Sequence, residues 1–499
     1  MLEAALSGLA QVFAWPAFGF MLLGIAIGFA VGILPGLGGP TGLALMLPFV
    51  FSMQPVQAFA FLLGMAAVTA TTGDITSILF GIPGEATTAA TVVDGHPMAK
   101  RGEAGRALGA VLASSLVGAL FGGIALALLI PIMAPLVRTF GSPELFILTI
   151  LGLTFLASLS GGSPIKGLTI AALGLMLAMV GRDPQTATQR FTFGQVFLWD
   201  GLGLVPATIG LYAIPELIDL ARRGTSISGA VSEKLGGVFQ GVKDTFVHWG
   251  LVLRCSFLGA FLGVIPGLGG VVGQWIAYAH AVQSSPNKER FGQGAVEGVL
   301  GPGAANNSKE GGNLVPTIAF GVPPSVTMAV LLGAFIIQGL TPGPDMLSKH
   351  LDVTYSMVWI LIVSNVITVA ACFLFLGPLA RLTQVKGSYI IPPIIVLIVL
   401  GGFTTTNQFP DIWVTIGFGV LGWIMVELDW PRPPLVLGLV LGRLAENYLF
   451  LSMSAYDLAW LTRPTVLVGM AVIIGAVLYP VFSGRLPAAI RKLGAPDAS

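Results

Sequence analysis

The octapeptide Gly32-Ile33-Leu34-Pro35-Gly36-Leu37-Gly38-Gly39 recurs as Gly263-Val264-Ile265-Pro266-Gly267-Leu268-Gly269-Gly270, with six positions identical. A second pair follows in the same order, Phe80-Gly81-Ile82-Pro83-Gly84 and Phe320-Gly321-Val322-Pro323-Pro324. From Gly32 to Gly263 is 231 positions and from Phe80 to Phe320 is 240, so one short insertion separates the registers. Two ordered matches at nearly one offset mark an internal duplication. All four motifs cut into apolar runs with Gly and Pro. In a membrane chain, paired interruptions in two halves point to the binding site of a transporter.

That the chain is a membrane protein follows from its charge. Only 9% of its residues are Asp, Glu, Lys or Arg, 55% are hydrophobic, and the mean hydropathy is +0.89. Soluble domains carry about 25% charge. Apolar runs of about 17–25 residues recur, as a hydrocarbon core of roughly 30 Å requires. They do not alternate, which excludes a β-barrel. The expected fold is an all-α polytopic membrane protein with two inverted repeats and about 12–15 transmembrane segments. Two re-entrant hairpins with broken helices are expected at 74–93 and 313–340. The short apolar runs 41–53, 271–283 and 294–305 are the weakest spans.

Lys and Arg concentrate on cytoplasmic loops. The groups Lys100/Arg101/Arg106, Arg222/Arg223/Lys234/Lys243, Lys288/Arg290, Arg381/Lys386 and Arg485/Arg491/Lys492 all fall on one side if neither hairpin crosses. The organisation read from this is a first repeat over 1–221, a cytoplasmic connector over 222–245, a second repeat over 246–450, and a last span with a cytoplasmic tail over 451–499. Glu3 and the lack of a basic segment before the first apolar run argue against a cleaved signal peptide. Cys255 and Cys372 lie in apolar runs and read as packing residues. A net charge of +1 gives no reason to expect nucleic acid.

Two constellations carry candidate chemistry. The Pro35–Gly39 and Pro266–Gly270 loops leave backbone N–H and C=O groups unpaired at membrane depth, and these must meet protein, water or ligand. A helix starting after such a loop aims its positive end at an anion such as a carboxylate. The alternative is a tight helix crossing. The second constellation is polar: Thr69, Thr71, Thr72, Gly73, Asp74, Glu85, Thr87 and Thr88 in one half, and Asn306, Asn307, Ser308, Lys309, Glu310, Asn313 and Ser325 in the other. Ionisable groups inside apolar sequence are costly and suggest function. The substrate set is Pro35, Gly36, Gly38, Gly39, Thr72, Gly267, Gly269, Gly270, Asn306, Asn307, Ser308 and Lys309. Asp74 and the carbonyls around Pro35 and Pro266 are the candidates for a coupling cation, Na⁺ or H⁺. No cofactor is expected, and no metal beyond Na⁺.

Asp94-Gly95-His96-Pro97 reads as a turn, with His96 either a turn residue or a proton-linked group. Arg443 and Glu446, one helical turn apart, read as an internal ion pair or as a substrate contact by Arg443. Ser158–Ser163 and Thr404–Asn407 are polar joints at matching places. No Walker A loop, Gly-x-Ser-x-Gly elbow, His-Glu-x-x-His helix or Cys/His cluster is present, so no enzyme chemistry is expected.

The motifs Gly32–Gly42, Thr72–Asp74 through Gly81–Glu85, Asp94–Lys100, Gly263–Gly270 and Asn306–Pro323 resemble the TctA family, the large membrane subunit of tripartite tricarboxylate transporters, across about Gly24–Pro480. The resemblance implies a multi-pass protein of the bacterial inner membrane. It implies a small membrane subunit of about four helices and a periplasmic solute-binding protein as partners, and uptake of citrate or other carboxylates by symport with sodium ions or protons. The competing readings are a non-transporting membrane scaffold or sensor, and a carboxylate channel.

Overall fold

The computed structural model describes residues 1–33, 38–159, 163–183, 185–223, 236–268, 270–382, 387–404 and 407–482. The first half contributes α1 (Leu2–Phe13), α2 (Ala17–Gly32), α3 (Gly39–Met46), α4 (Pro55–Phe80), α5 (Ala89–Lys100), α6 (Ala104–Thr139), α7 (Ser142–Leu159), α8 (Pro164–Ala178) and α9 (Leu204–Arg223). The second contributes α10 (Val238–Val247), α11 (Trp249–Val264), α12 (Val271–Ser284), α13 (Glu297–Phe320), α14 (Val326–Ile337), α15 (Leu351–Leu382), α16 (Gly387–Thr404), α17 (Pro410–Glu427) and α18 (Pro433–Tyr456), and α19 (Pro464–Phe482) follows. The two halves repeat element by element. Each opens with a bent pair, 65° between α1 and α2 and 80° between α10 and α11. Among the described residues the only strands are β1 (Gly181–Arg182) and β2 (Gln189–Arg190), an antiparallel pair.

Among the described residues six helices are long and apolar enough to cross a membrane, two bent pairs join them, and six shorter apolar helices have 10–17 residues. These make 14 apolar segments, and the protein is an all-α polytopic membrane protein.

The chain forms two compact units, Met1–Thr139 with Gly203–Ile424, and Phe140–Leu202 with Met425–Ser499. Within each, the halves exchange helices. In the first unit α1 packs on α15, where Trp359 donates to Ala5 O at 2.8 Å. Its counterpart α10 packs on α6, where Arg106 pairs with Asp244 at 2.6 Å. There too α9 lies against α16 and α17, with Gly210 on the Thr415 carbonyl. In the second unit α18 lies against α7 and α8, with Gly438 on Gly174, while Glu144 of α7 binds Arg463 and Thr465 beside α19. Small residues at these crossings let backbones approach, which is how helices associate without a hydrophobic gradient.

The centre of the first unit is α4 and α13. Every residue of α13 from Glu297 to Ala319 is buried, although the helix carries six polar residues between Asn306 and Asn313. A polar helix can be buried all round only if protein supplies its partners. The two helices run in opposite directions. Asp94, beyond the end of α4, accepts hydrogen bonds from Gly292, Gly294 and Ala295, just before α13 begins. At the other end Gln338, after α14, donates to Val50 O, just before α4 begins, at 2.7 Å.

The structure corrects three readings of the sequence. The polar stretches lie inside unbroken helices, because α4 runs through Asp74 and α13 joins the apolar run 294–305 to the start of 313–340. The breaks fall later, where Gly81 (φ +68°) and Gly321 (φ +67°) close α4 and α13 in the left-handed conformation that glycine adopts freely. Asp94–Lys100 is helical and not a turn, and His96 uses Nδ1 on Ile78 O at 3.1 Å, at the end of α4. Glu446 does not pair with Arg443. It takes Arg190 at 2.6 Å, while Arg443 donates to Asp200 O. Where the structure describes the ends of the 222–245 segment, they are helical, as α9 reaches Arg223 and α10 starts at Val238.

Candidate functional site

Each glycine-rich motif lies between two helices, α2 and α3 in the first half and α11 and α12 in the second. α2 runs parallel to α4: a Cβ built on Gly28 would lie 2.9 Å from Met65 O, and one on Gly32 would lie 2.8 Å from Thr69 Cα. After the tip, α3 turns back, with Gly39 beside Thr69 Oγ1 and Gly42 beside Met65. The second half repeats this. α11 runs parallel to α13, with Gly263 against Lys309 O and Asn313 N, and α12 returns antiparallel from Gln274, at Asn306, to Tyr278, at Gly298.

The second motif pair meets the first. In the first half the segment after Gly81 folds back to the level of Gly73, where Gly84 N donates to Gly73 O at 3.4 Å. There Glu85 Oε1 accepts from Gly39 N, the first residue of α3, at 2.7 Å. In the second half Gly267 N donates to Pro324 O at 3.1 Å. Ser325 then caps α14 through Met328 N and accepts from Asn313 Nδ2 at 3.5 Å. Hairpin tip and re-entrant break are therefore joined in both halves, beside the polar stretch of α4 or α13. The 86–88 turn also packs on α12 and α13, which draws the two half-sites together.

Asn306 is the hub between them. Its Nδ2 donates to Ala70 O at 2.9 Å and reaches Asp74 Oδ2 at 3.5 Å. Its Oδ1 accepts from Lys309 Nζ at 2.8 Å and from Gln274 Nε2. Asn307 donates to Thr71 Oγ1 and to Asn365 Oδ1, both at 2.8 Å. Lys309 lies 3.8 Å from Glu310, and Lys309 and Glu85 are the charged neighbours of both Asp74 and Glu310. Three carboxylates thus surround one ammonium. Asp74 is 1% exposed, Asn306 1%, Lys309 5% and Glu310 8%, so this charge is held away from water. Buried oxygens of Asp74, Gln274, Asn307, Glu310 and Asn313 have no hydrogen-bond partner. A buried acceptor normally finds one. Asp74 and Gln274, both in contact with Asn306, thus keep unused acceptor oxygens, which suit a cation or a proton.

Among the expected site residues, Gly39, Gly267, Thr72, Asp74, Asn306 and Lys309 come together. Thr72 donates to Val68 O at 2.8 Å and touches the last turn of α2 at Gly32. Gly38, Pro266 and Gly270 lie in the segments between those helices. Asn307 faces α4 and α15. Ser308 packs against Gly122 of α6 and Gly259 of α11, which makes it a helix-crossing residue. Pro35, Gly36 and Gly269 lie outside the described residues. Gln274 and Asn365 were missed. Each is a lone amide in an apolar run, and only the crossing helices reveal its partner. No three His, Cys, Asp or Glu side chains among the described residues are placed to hold a metal ion.

Comparison with known proteins identifies the family. Residues 18–437 match the model of the tripartite tricarboxylate transporter TctA family. The "Uncharacterized 52.8 kDa protein in TAR-I ttuC' 3'region" of Agrobacterium vitis is 33% identical over 474 residues, covering 93% of each chain. The "Uncharacterized protein in TAR-II ttuC' 3'region" of the same organism is 32% identical over 191 residues, which is 38% of this chain and 79% of that one. No solved structure matches. The chain belongs to the TctA family of tripartite tricarboxylate transporters.

Proposed function

We propose that the protein takes up di- and tricarboxylates of the citrate type across the bacterial inner membrane, by symport with Na⁺ or H⁺. A periplasmic solute-binding protein delivers the substrate, and a small membrane subunit of about four helices completes the complex. The observation that carries this reading is the paired junction of tip and break, Gly39 with Glu85 and Gly267 with Pro324, around the Asn306 hub. The uncapped start of α12 offers N–H groups and a positive dipole end to a carboxylate, while that of α3 already takes Glu85 and that of α14 is capped by Ser325. The single ammonium of Lys309 cannot balance Asp74, Glu85 and Glu310 together with a multiply charged anion. Cations must enter with the substrate, and Asp74 with its neighbouring unused oxygens is where we place one.

Arg101, Arg106 and Arg290, from two of the basic loops, line one cavity of about 460 Å³. This supports a common cytoplasmic side for those loops. With α4 and α13 antiparallel, the loop after α4 enters from the cytoplasm and the loop after α13 from the periplasm, as inverted repeats require.

The test is uptake of labelled carboxylates into proteoliposomes holding all three components. Wild type is expected to show saturable uptake driven by a Na⁺ or H⁺ gradient. Asp74→Asn is expected to lose that ion dependence, with uptake reduced at least about tenfold, equivalent to 1.4 kcal/mol of lost coupling. Ion dependence unchanged by Asp74→Asn removes Asp74 from the cation site. Flux that neither saturates nor follows an ion gradient favours a channel.

A further inference from the structure

The second unit holds a cavity of about 340 Å³ that takes no part in the site around Asn306. It is lined by Arg182, Arg190, Trp199, Asp200, Arg443 and Glu446, with apolar walls from the end of α8. That volume lies within the range of small-ligand pockets. The charges around it are unevenly satisfied. Arg190 makes a two-point pair with Glu446 at 2.6 and 3.0 Å and lies 3.4 Å from Asp183. Backbone N–H groups of Thr186 and Gln185, with Arg190 beside them, hold the Asp183 carboxyl below the ordinary carboxylate range. Arg190 is therefore neutralised. Arg182 instead lies over the Trp199 ring, 4.7 Å from its centre, and Arg443 spends one N–H on the Asp200 carbonyl. Three guanidiniums and two carboxylates line the cavity, and Asp183 adds a third carboxylate beside Arg190.

The Nε of Arg190 and the Nε1 of Trp199 have no hydrogen-bond partner, but both are closed off from water and do not open into the cavity. Arg182 and Arg443 line it with no carboxylate partner among the described residues, and a group that answers both carries acceptor oxygens and negative charge.

We propose that this cavity is a second carboxylate-binding site, with Arg443 and Arg182 supplying charge and N–H donors beside the Trp199 ring. The class of anion rests on the proposed function. The site itself rests on the cavity and its two guanidiniums that lack a carboxylate partner. Guanidinium groups suit planar carboxylates through paired N–H bonds.

Titration of the purified protein with citrate tests this, read by calorimetry and by the fluorescence component that Trp199→Phe removes. Two sites are expected for wild type. Arg443→Gln should weaken one of them at least about tenfold and leave the other unchanged. In an Asn306→Ala background the Trp199-dependent signal should persist and saturate. Sodium chloride at equal ionic strength should not produce it. A single site in wild type, or two sites unaltered by both Arg443→Gln and Trp199→Phe, overturns the proposal. Because binding is read directly, a protein that binds citrate here yet fails to transport any carboxylate would count against the transport reading and leave this site standing.

Discussion

Gly263→Val is expected to abolish carboxylate uptake while the chain still inserts into the membrane. A Cβ at this position would lie 2.5 Å from Lys309 O and 3.1 Å from Asn313 N. Both are backbone atoms of α13, a helix buried on every face, so neither can move aside without shifting the unit's centre. Overpacking of this kind costs about 1–3 kcal/mol. The functional loss should be larger than the stability loss, because the displaced element is the hairpin that carries Gly267 to Pro324 and Gln274 to Asn306. A misplacement of about 1 Å in a binding constellation can cost on the order of a hundredfold in rate. Gly250→Val on the same helix is the control, since a Cβ there meets nothing within 4 Å. The checks are uptake and thermal unfolding of both variants. Near-normal uptake by inserted Gly263→Val would show that close approach of the tip to α13 is dispensable.

Asn306→Ala is expected to lower uptake by on the order of a hundredfold and to destabilise the protein by about 3 kcal/mol. The deletion strands Lys309 Nζ, which loses its 2.8 Å acceptor, and the Gln274 amide, both away from water. It also removes the donor shared by Ala70 O and Asp74, a direct link between the halves beside that of Asn307 to Thr71. Each buried polar group left unpaired costs about 1–3 kcal/mol, and more when charged. Asn306→Asp separates the two roles. It keeps an acceptor for Lys309 and Gln274 but places a carboxylate beside Asp74. We expect it to retain more stability than Asn306→Ala and to recover little uptake, unless acid pH protonates one of the pair. Equal uptake by wild type and Asn306→Ala would remove the hub from the transport path.

The duplicated motifs, the membrane class and the polar stretches were legible in the sequence because each leaves a local mark. Gly and Pro cluster where chains turn, and Thr, Asn and Lys stand out in apolar runs. The location of the helix breaks was not legible. Thr69–Asp74 and Asn306–Asn313 look like interruptions, yet both are helical, because burial between partner helices satisfies their side chains without opening the backbone. Long-range partners were equally hidden. Gly39 could be read as a helix start but not as the donor to Glu85, 46 positions away. Arg443 and Glu446 share a helical face, which suggested a local pair. Their actual partners, Asp200 and Arg190, come from the loop after α8 and are more than 240 positions distant.

The central claim is that two re-entrant loops from opposite sides of the membrane close on one substrate site. Impermeant thiol labelling of Ala86→Cys and Thr327→Cys, one in each loop, tests it most directly. The background carries alanine at Cys255 and Cys372, both of which are buried. The account predicts that Ala86→Cys is labelled from the cytoplasm and Thr327→Cys from the periplasm, and that a transported carboxylate with its cation slows both reactions. Labelling of both from one side, or rates indifferent to substrate at both positions, would contradict it.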